Sequence, residues 1–225
     1  GLLLKKAVDH LKDQTYFLCM LKKEQLKNVL FPIGNMRKTE VREIAEQQGI
    51  KVAQKKDSTG ICFIGERKFK QFIKNYLPAS PGEMRTLKGD YIGQHDGLMY
   101  YTLGQRRGLN IGGRGTGERW FVVKKDLEKN ILYVEQGANH PALYSKALRM
   151  RDFNFISGHA PAKKFECGAK FRYRQPDQRV NVVVEKEGYL VEFFEKQRAV
   201  TPGQYCVLYE GDICLGGGEI DEVIY

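Results

Sequence analysis

Apolar residues recur at helical spacing up to about residue 77 and alternate as in strands beyond residue 90. Residues 2–8 alternate poorly and carry no start signal, as though the chain opens in mid-fold. Asp13 is placed to cap a helix with Phe17, Met20 and Leu21 on its inward face and Cys19 packed within it. Leu26, Val29 and Leu30 continue on a second short helix that Pro32 and Gly34 end. Residues 39–49 give a cleaner pattern, with Thr39 as N-cap, Glu40 and Glu43 in the first turn and Gly49 as the stop. Val41, Ile44 and Ala45 of that helix are expected to face the core. Residues 50–53 read as a short strand, and Phe69, Phe72, Ile73, Tyr76 and Leu77 as the apolar stripe of another helix.

The run Pro78-Ala79-Ser80-Pro81-Gly82 breaks the helical pattern and predicts a domain boundary there or slightly earlier. Strands are then expected at 91–94 and 98–102, paired about a turn at His95-Asp96-Gly97, and at 119–125 and 131–136 as a second hairpin. Between these hairpins the segment 104–113 is glycine-rich and holds Arg106 and Arg107. It suits either a phosphate cradle or a flexible loop, and lacks the strand-to-helix context of a dinucleotide fingerprint. From Pro141 onward strands are predicted at 147–152, 164–173, 178–186, 189–194, 204–209 and 213–219. Their even spacing points to a small antiparallel barrel.

The 225 residues suffice for one large domain or two to three small ones. No apolar run approaches a bilayer span, and the opening Gly-Leu-Leu-Leu-Lys-Lys is too short for a signal peptide, so a cytoplasmic protein without membrane partners is expected. Cys19, Cys62, Cys167, Cys206 and Cys214 are scattered and odd in number, which argues against a secreted disulfide framework or a structural metal site. The net charge is +10, of which residues 1–75 carry +8 (16 Lys+Arg against 8 Asp+Glu) and residues 76–225 only +2 (21 against 19). That basic first third suits a polyanionic partner as well as it suits a solvated face.

The segment 55–65, Lys-Lys-Asp-Ser-Thr-Gly-Ile-Cys-Phe-Ile-Gly, is where chemistry is expected. Lys55 and Lys56 bring positive charge near Cys62, and Asp57 and Ser58 begin a turn whose backbone N–H groups stay free. Such surroundings favour a thiolate, whereas composition by itself is as consistent with a small buried hydrophobe. Arg172-Tyr173-Arg174-Gln175 combines charge, an aromatic face and hydrogen-bonding groups, which suits RNA with unstacked bases or an ordinary exposed strand end.

Several motifs occur together in order. They are Lys12-Asp13-Gln14, the 55–65 segment followed by Glu66-Arg67-Lys68-Phe69, Gly97-Leu98-Met99-Tyr100 and Thr102-Leu103-Gly104-Gln105-Arg106. Arg172-Tyr173-Arg174-Gln175, Thr201-Pro202-Gly203-Gln204 and Cys214-Leu215-Gly216-Gly217-Gly218 complete the set. In this arrangement the chain resembles the bacterial tRNA-specific 2-thiouridylases over essentially its whole length. The resemblance implies an α+β fold: a helical remnant of an α/β ATP-pyrophosphatase domain (adenine nucleotide alpha hydrolase-like) over 1–65, a small mixed central domain over 66–140 and an antiparallel β-barrel over 141–225. The family's Ser-Gly-Gly-Val-Asp-Ser loop and its first catalytic cysteine are not in this sequence.

The resemblance further implies a sulfurtransferase that uses ATP, with Mg²⁺, to replace the 2-oxygen of the wobble uridine in tRNA for lysine, glutamate and glutamine. Cys62 would be the persulfide carrier, fed by a sulfur-relay donor protein, with Lys55, Lys56, Asp57 and Ser58 in support. Its partner cysteine would come within about 7 Å, Cα to Cα, to close a transient disulfide. Lys12, Asp13, Gln14, Tyr173, Arg174 and Gln204 would contact tRNA. This stretch by itself is expected to be inactive. The alternative from a different class is a basic RNA-binding module whose cysteines are structural.

Overall fold

A computed structural model describes residues 2–55, 76, 79–113 and 115–225. The chain forms two compact units, one from Gly1–Lys56 together with Ser145–Tyr225 and the other from Asp57–Tyr144. The first unit opens with β1 (Leu4–Lys5), α1 (Thr15–Leu18), α2 (Lys23–Leu26) and α3 (Lys38–Gln47). The second contains β2 (Gly82–Arg85), β3 (Tyr91–His95), β4 (Trp120–Asp126) and β5 (Ile131–Gln136). The first then resumes with β6 (Tyr144–Met150), β7 (Asn154–Phe155), β8 (Lys164–Lys170), β9 (Gln178–Glu185), β10 (Gly188–Arg198), β11 (Tyr205–Glu210), β12 (Ile213–Glu219) and β13 (Glu222–Ile224).

In the first unit, β12, β11, β8, β9, β10, β6 and β13 are neighbours in that order. Arg149 lies opposite Glu222 and Phe155 opposite Gly216, so β6–β7 and β13–β12 keep one antiparallel register across both their breaks. That shared register brings β12 back beside the strand that follows β10 and closes the sheet, with β1 added along β12. The barrel predicted from strand spacing is thus present, and β13 is the piece the spacing did not reveal. Leu148, Met150, Val180, Val182, Val191, Cys206 and Leu208 fill its interior.

Alternate residues of β11 point outward, where Val207 and Tyr209 pack with Leu4, Tyr16, Cys19, Leu26 and Cys214 in a second cluster. The N-terminal segment therefore lies on the barrel's outer wall, seated by β1 pairing with β12. Gly216-Gly217-Gly218 makes that seating possible. A side chain at Gly216 or Gly218 would overlap backbone of residues 152–154, and one at Gly217 would come within 2.5 Å of the Cys19 sulfur.

The second unit is a four-stranded sheet ordered β3-β2-β5-β4, with β2 and β5 parallel. Met84, Val122, Leu132 and Val134 of one face pack with Leu98, Tyr101 and Leu109, while Phe121 and Val123 of the other meet Leu143. The hairpin expected at 119–136 forms, but the one expected about residues 95–97 does not. β3 pairs with β2 instead, and Leu98–Tyr100 is a 3₁₀ turn. Gly97 at φ 138° turns the chain away, and its N–H donates to Nδ1 of buried His95, 3.0 Å away. The other ring nitrogen of His95 then donates to the Asn130 carbonyl at 3.1 Å. This tautomer locks the turn to the sheet.

The helices also differ from expectation. Around α1 the buried residues are Tyr16 and Cys19, whereas Phe17 and Met20 are exposed. α2 buries Leu26 but ends before Val29 and Leu30, which are exposed. The N-cap of α3 is Arg37, two residues before the predicted Thr39, because the Arg37 N–H donates to the Glu40 carboxylate at 2.6 Å and closes the first turn. None of its residues is buried, so Val41, Ile44 and Ala45 do not enter a core here. Gly49 at φ 67° ends it as expected. Residues 51–54 are turns rather than a strand, with Ala53 N–H donating to Ile50 and Lys55 N–H to Val52. The helix expected at 69–77 lies outside the described residues, Tyr76 excepted.

Candidate nucleic-acid interface

The segment Lys12-Asp13-Gln14 links β1 to α1, and its three side chains have different fates. Asp13 is 4% exposed. Its carboxylate accepts from the N–H groups of Ala7 and Thr15 at 3.1 and 3.3 Å and from the Thr15 hydroxyl at 2.6 Å. It is therefore a brace that fixes the loop rather than a surface group. Lys12 is half-buried and Gln14 exposed. Gln14 Nε2 donates to the Tyr173 hydroxyl at 3.2 Å, which brings together two residues 159 positions apart. Below them the Tyr16 hydroxyl donates to the Tyr205 carbonyl at 2.9 Å, tying α1 to the start of β11. Burial pushes the Tyr16 phenol up to about 12.

Tyr173 stands in a turn after β8. Gln175 N–H donates back to the Arg172 carbonyl and the Gln175 side chain accepts from Phe171 N–H at 2.9 Å. Arg174 adopts the left-handed conformation, φ 65°, and holds its guanidinium 5.1 Å from the Tyr173 ring. Phe17 stacks on the same ring, centroids 4.6 Å apart and planes inclined by 48°. At 59% exposure it presents an aromatic face to solvent. Its helical spacing had assigned it to a core. What placed it outside is the shortness of α1, which turns Tyr16 and Cys19 inward instead.

A second turn faces the first. Ala199, buried and left-handed at φ 54°, accepts from Arg172 Nη2 at 2.7 Å and from the Thr201 hydroxyl at 3.1 Å. Gln204 closes this turn through its backbone, donating to Thr201 and accepting from Ile220, and its side chain is exposed. Residues 171–175 and 198–200 enclose a cleft of about 320 Å³ that is lined by Arg172, Arg174 and Arg198. Partial burial, and next the charge of Arg198, lower the pKa of Arg172. Gln14, Tyr173 and Arg174 are thus in one cluster, and the Arg172 hydrogen bond joins it to the turn that carries Gln204. Arg198, at the end of β10, had no sequence signal beyond its charge.

Cys62, Lys56, Asp57 and Ser58 lie outside the described residues. Lys55 is exposed, and its carbonyl accepts from Arg42 at 3.2 Å. Burial pushes the Cys19 thiol up to about 11 and those of Cys167 and Cys214 to about 12, and raises Cys206 as well. These are neutral packing groups, opposite in character to an activated thiolate.

Three family models match in sequence order: a tRNA methyl transferase HUP domain over residues 1–66, a tRNA methyl transferase PRC-barrel domain over 70–136 and an aminomethyltransferase beta-barrel domain over 145–220. A tRNA-specific 2-thiouridylase MnmA of Listeria monocytogenes is 60% identical over 98% of this chain and 59% of its own length. Its counterpart from Halalkalibacterium halodurans is 60% identical over 97% of the chain and 59% of its own, and MnmA 1 of Geobacillus kaustophilus 59% over 98% and 60%. Along nearly its whole length the chain is similar to tRNA-specific 2-thiouridylases. It spans about three fifths of the length of the curated relatives it matches.

Within that family's layout, the HUP match covers α1 to α3, the PRC-barrel match covers β2 to β5 and the beta-barrel match covers β6 to β12. The described part of the HUP match does not form a nucleotide cradle. Its longest helix, α3, spends its first free N–H on Glu40 and is entered through Met36 and Arg37 rather than glycines. The glycine-rich segment after Thr102 runs into β4 instead of a helix. Among the described residues no group of three or more His, Cys, Asp or Glu is placed to hold a metal, and no helix is long and apolar enough to cross a membrane.

Proposed function

We propose that this chain is the tRNA-gripping and sulfur-carrying part of a tRNA-uridine 2-sulfurtransferase that acts on the wobble uridine of tRNA for lysine, glutamate and glutamine. The observation that carries this is the identity of 60% to a tRNA-specific 2-thiouridylase along 98% of the chain. It is supported by the way Gln14, Tyr173 and Arg174 gather at one aromatic and cationic surface. ATP, with Mg²⁺, supplies adenylation of the uridine 2-oxygen and is bound by residues other than those described here. Cys62 carries the sulfur, received from a relay protein, on the lysine-flanked segment 55–65. The target base turns out of the anticodon stack to reach it, as bases do for other modifying enzymes. Half-buried Lys12 and Tyr173 and exposed Gln14, Arg174 and Gln204 hold the tRNA, while Asp13 braces the loop that presents Lys12 and Gln14.

The test is thiolation of purified tRNA by the intact protein with ATP and a sulfur donor. Cys62→Ser abolishes the 2-thiouridine product and leaves tRNA affinity within about twofold, because a thiol-to-hydroxyl change removes no phosphate contact. Thiolation that survives in the variant removes Cys62 from its role. A second reading is favoured by one observation: Cys19, Cys167, Cys206 and Cys214 are all packing groups. If Cys62 is another, the chain is an RNA-binding module. Alkylation by iodoacetamide separates the two readings, since an activated Cys62 reacts faster than a model thiol.

A further inference from the structure

The glycine-rich segment after Thr102 is fastened in place, although it belongs to no helix or strand. Gly104 N–H donates to the Val122 carbonyl at 2.8 Å and Val122 N–H to the Gln105 carbonyl at 3.0 Å, which holds the segment on the outer edge of β4. The Gln105 side chain ties the turn internally, accepting from Thr102 N–H and donating to the Arg107 carbonyl, both at 2.9 Å. Leu109, 4% exposed, anchors the far end in the core. Opposite, the Gln136 side chain accepts from Thr116 N–H at 2.9 Å and donates to the Glu118 carbonyl at 2.8 Å. Two glutamines thus fix the lips of a cleft of about 370 Å³, lined by Arg106, Gly112, Gly113, Glu118, Arg119 and Trp120 among others. Its positive charge is unanswered. Elsewhere in the molecule Arg85, Arg149, Arg151 and Arg179 each meet a carboxylate, whereas among the described residues Arg106, Arg107 and Arg119 meet none. The Glu118 carboxylate turns to Gly137 instead, its Oε2 3.1 Å from where a Cβ there would stand. Gly112 and Gly113 point the same way. A Cβ at either would meet nothing within 4 Å, and neither has the left-handed backbone that calls for glycine. Packing and conformation leave both positions free for larger residues, and their bare backbone keeps the cleft open to close approach.

We propose that this cleft binds a phosphodiester of tRNA, held by Arg106 and Arg119 against the bare backbone of Gly112 and Gly113, and so gives the second unit an RNA contact of its own. Resting on the reading of the chain as part of a tRNA sulfurtransferase, this contact uses residues to which that reading assigns no role. Guanidinium forks suit the two unesterified oxygens of a phosphodiester. The indole of half-buried Trp120 supplies an apolar wall for the ribose. The volume is that of a small-molecule site, which suits one sugar-phosphate unit rather than a folded protein segment.

Trp120 is the only tryptophan of the chain, so the site reports on itself. The experiment titrates the 225-residue chain with tRNA over a series of salt concentrations and follows both Trp120 emission and retention of the complex on a filter. tRNA is expected to quench Trp120 with the same midpoint as retention. Arg106→Gln and Arg119→Gln together should weaken binding roughly tenfold at low salt and lower the slope of log K against log salt by about 0.7 to 0.9, the loss of one phosphate contact. Lys129→Gln, at the opposite end of the β4–β5 hairpin, leaves the slope unchanged; an equal loss there would mark a diffuse charge effect and overturn the site. Gly112→Leu fills the cleft without removing charge, so it raises the quenching midpoint while the melting temperature holds, and it serves alone if the double variant is unfolded. Unquenched Trp120, or an unchanged slope or midpoint in folded variants, overturns the cleft, while retention of tRNA keeps the function proposed above standing. If the unsubstituted chain retains no tRNA, both fall together. Equal quenching by ATP alone would make the cleft a nucleotide site, and unchanged tRNA binding with slower sulfur delivery from the relay protein would make it a protein contact. Either result overturns the RNA assignment.

Discussion

Within one unit of this molecule, the barrel and the stretch around α3 meet the same solvent in opposite ways. The barrel encloses Val180, Val182, Val191, Cys206 and Leu208 with no measurable exposure, and β11 is covered on both faces. Leu30 is 88% exposed, and Phe31, Ile33, Ile44, Ile50 and Val52 are exposed with it. Both regions have the apolar periodicity of their element type. The difference is closure: strands that return to one another supply their own partner surface, whereas a helical stripe must find one elsewhere. An amphipathic pattern therefore states what a segment is able to bury, and the rest of the assembly decides whether it does.

The sharpest way to break the closed side is at Gly216. Its φ of 139° and its approach to the Asn154 backbone leave no place for a side chain. Gly216→Val is expected to cost more than about 3 kcal/mol, enough to abolish cooperative urea unfolding of the barrel. A folded Gly216→Val protein with an unchanged midpoint would mean that β7 and β12 do not meet. Next comes Leu208→Ala, which empties a fully buried site and should cost about 2–5 kcal/mol in the same measurement.

Alkaline pH probes the same interior without a substitution. Cys19, Cys167 and Cys214 have an ordinary value of 9.0, raised to about 11, 12 and 12, and Tyr16 rises from 10.0 to about 12. The folded state therefore keeps protons that the unfolded chain gives up. Stability from these groups is fully present below pH 9, and is lost as pH climbs through the window between 9 and about 12. By pH 10 the barrel should be less stable by about 4 kcal/mol than at pH 8, at roughly 1.3 kcal/mol for each of the three thiols. A flat profile of the unfolding midpoint from pH 8 to pH 10 would show that these thiols reach solvent. Smaller again is Tyr16→Phe, which leaves the Tyr205 carbonyl without this donor and is expected to cost about 1 kcal/mol.

The same contrast explains what was legible in the sequence. Strands 164–173, 178–186 and 213–219 could be placed because alternation and turn residues are local signals, and the structure has them at Lys164–Lys170, Gln178–Glu185 and Ile213–Glu219. The closure by β13 was hidden, since a three-residue strand has too few positions to alternate. The turn at Gly97 was misassigned because its left-handed glycine suits a hairpin equally well, and only the His95 hydrogen bond decides against one. In the candidate interface, Tyr173 and Arg174 were visible by residue type. Arg198 and the exposed face of Phe17 depend on which turns the barrel brings together, a property that no local pattern encodes. Asp13 is the reverse case: the family resemblance implied a tRNA contact, but its oxygens are consumed by the loop that it braces.

The smallest expected effect bears most directly on the open side. Ile44 sits on the apolar stripe of α3 at 45% exposure, so its truncation removes little buried surface. Ile44→Ala also exchanges a β-branched residue for the best helix former, which offsets part of that loss. The net change should stay under about 0.5 kcal/mol, with hydrogen exchange of the α3 amides no faster than in the unsubstituted chain. If Ile44→Ala instead costs as much as Leu208→Ala, the stripe is covered in solution. Its 3.6-residue pattern then marks a buried face after all, and the contrast with the barrel disappears.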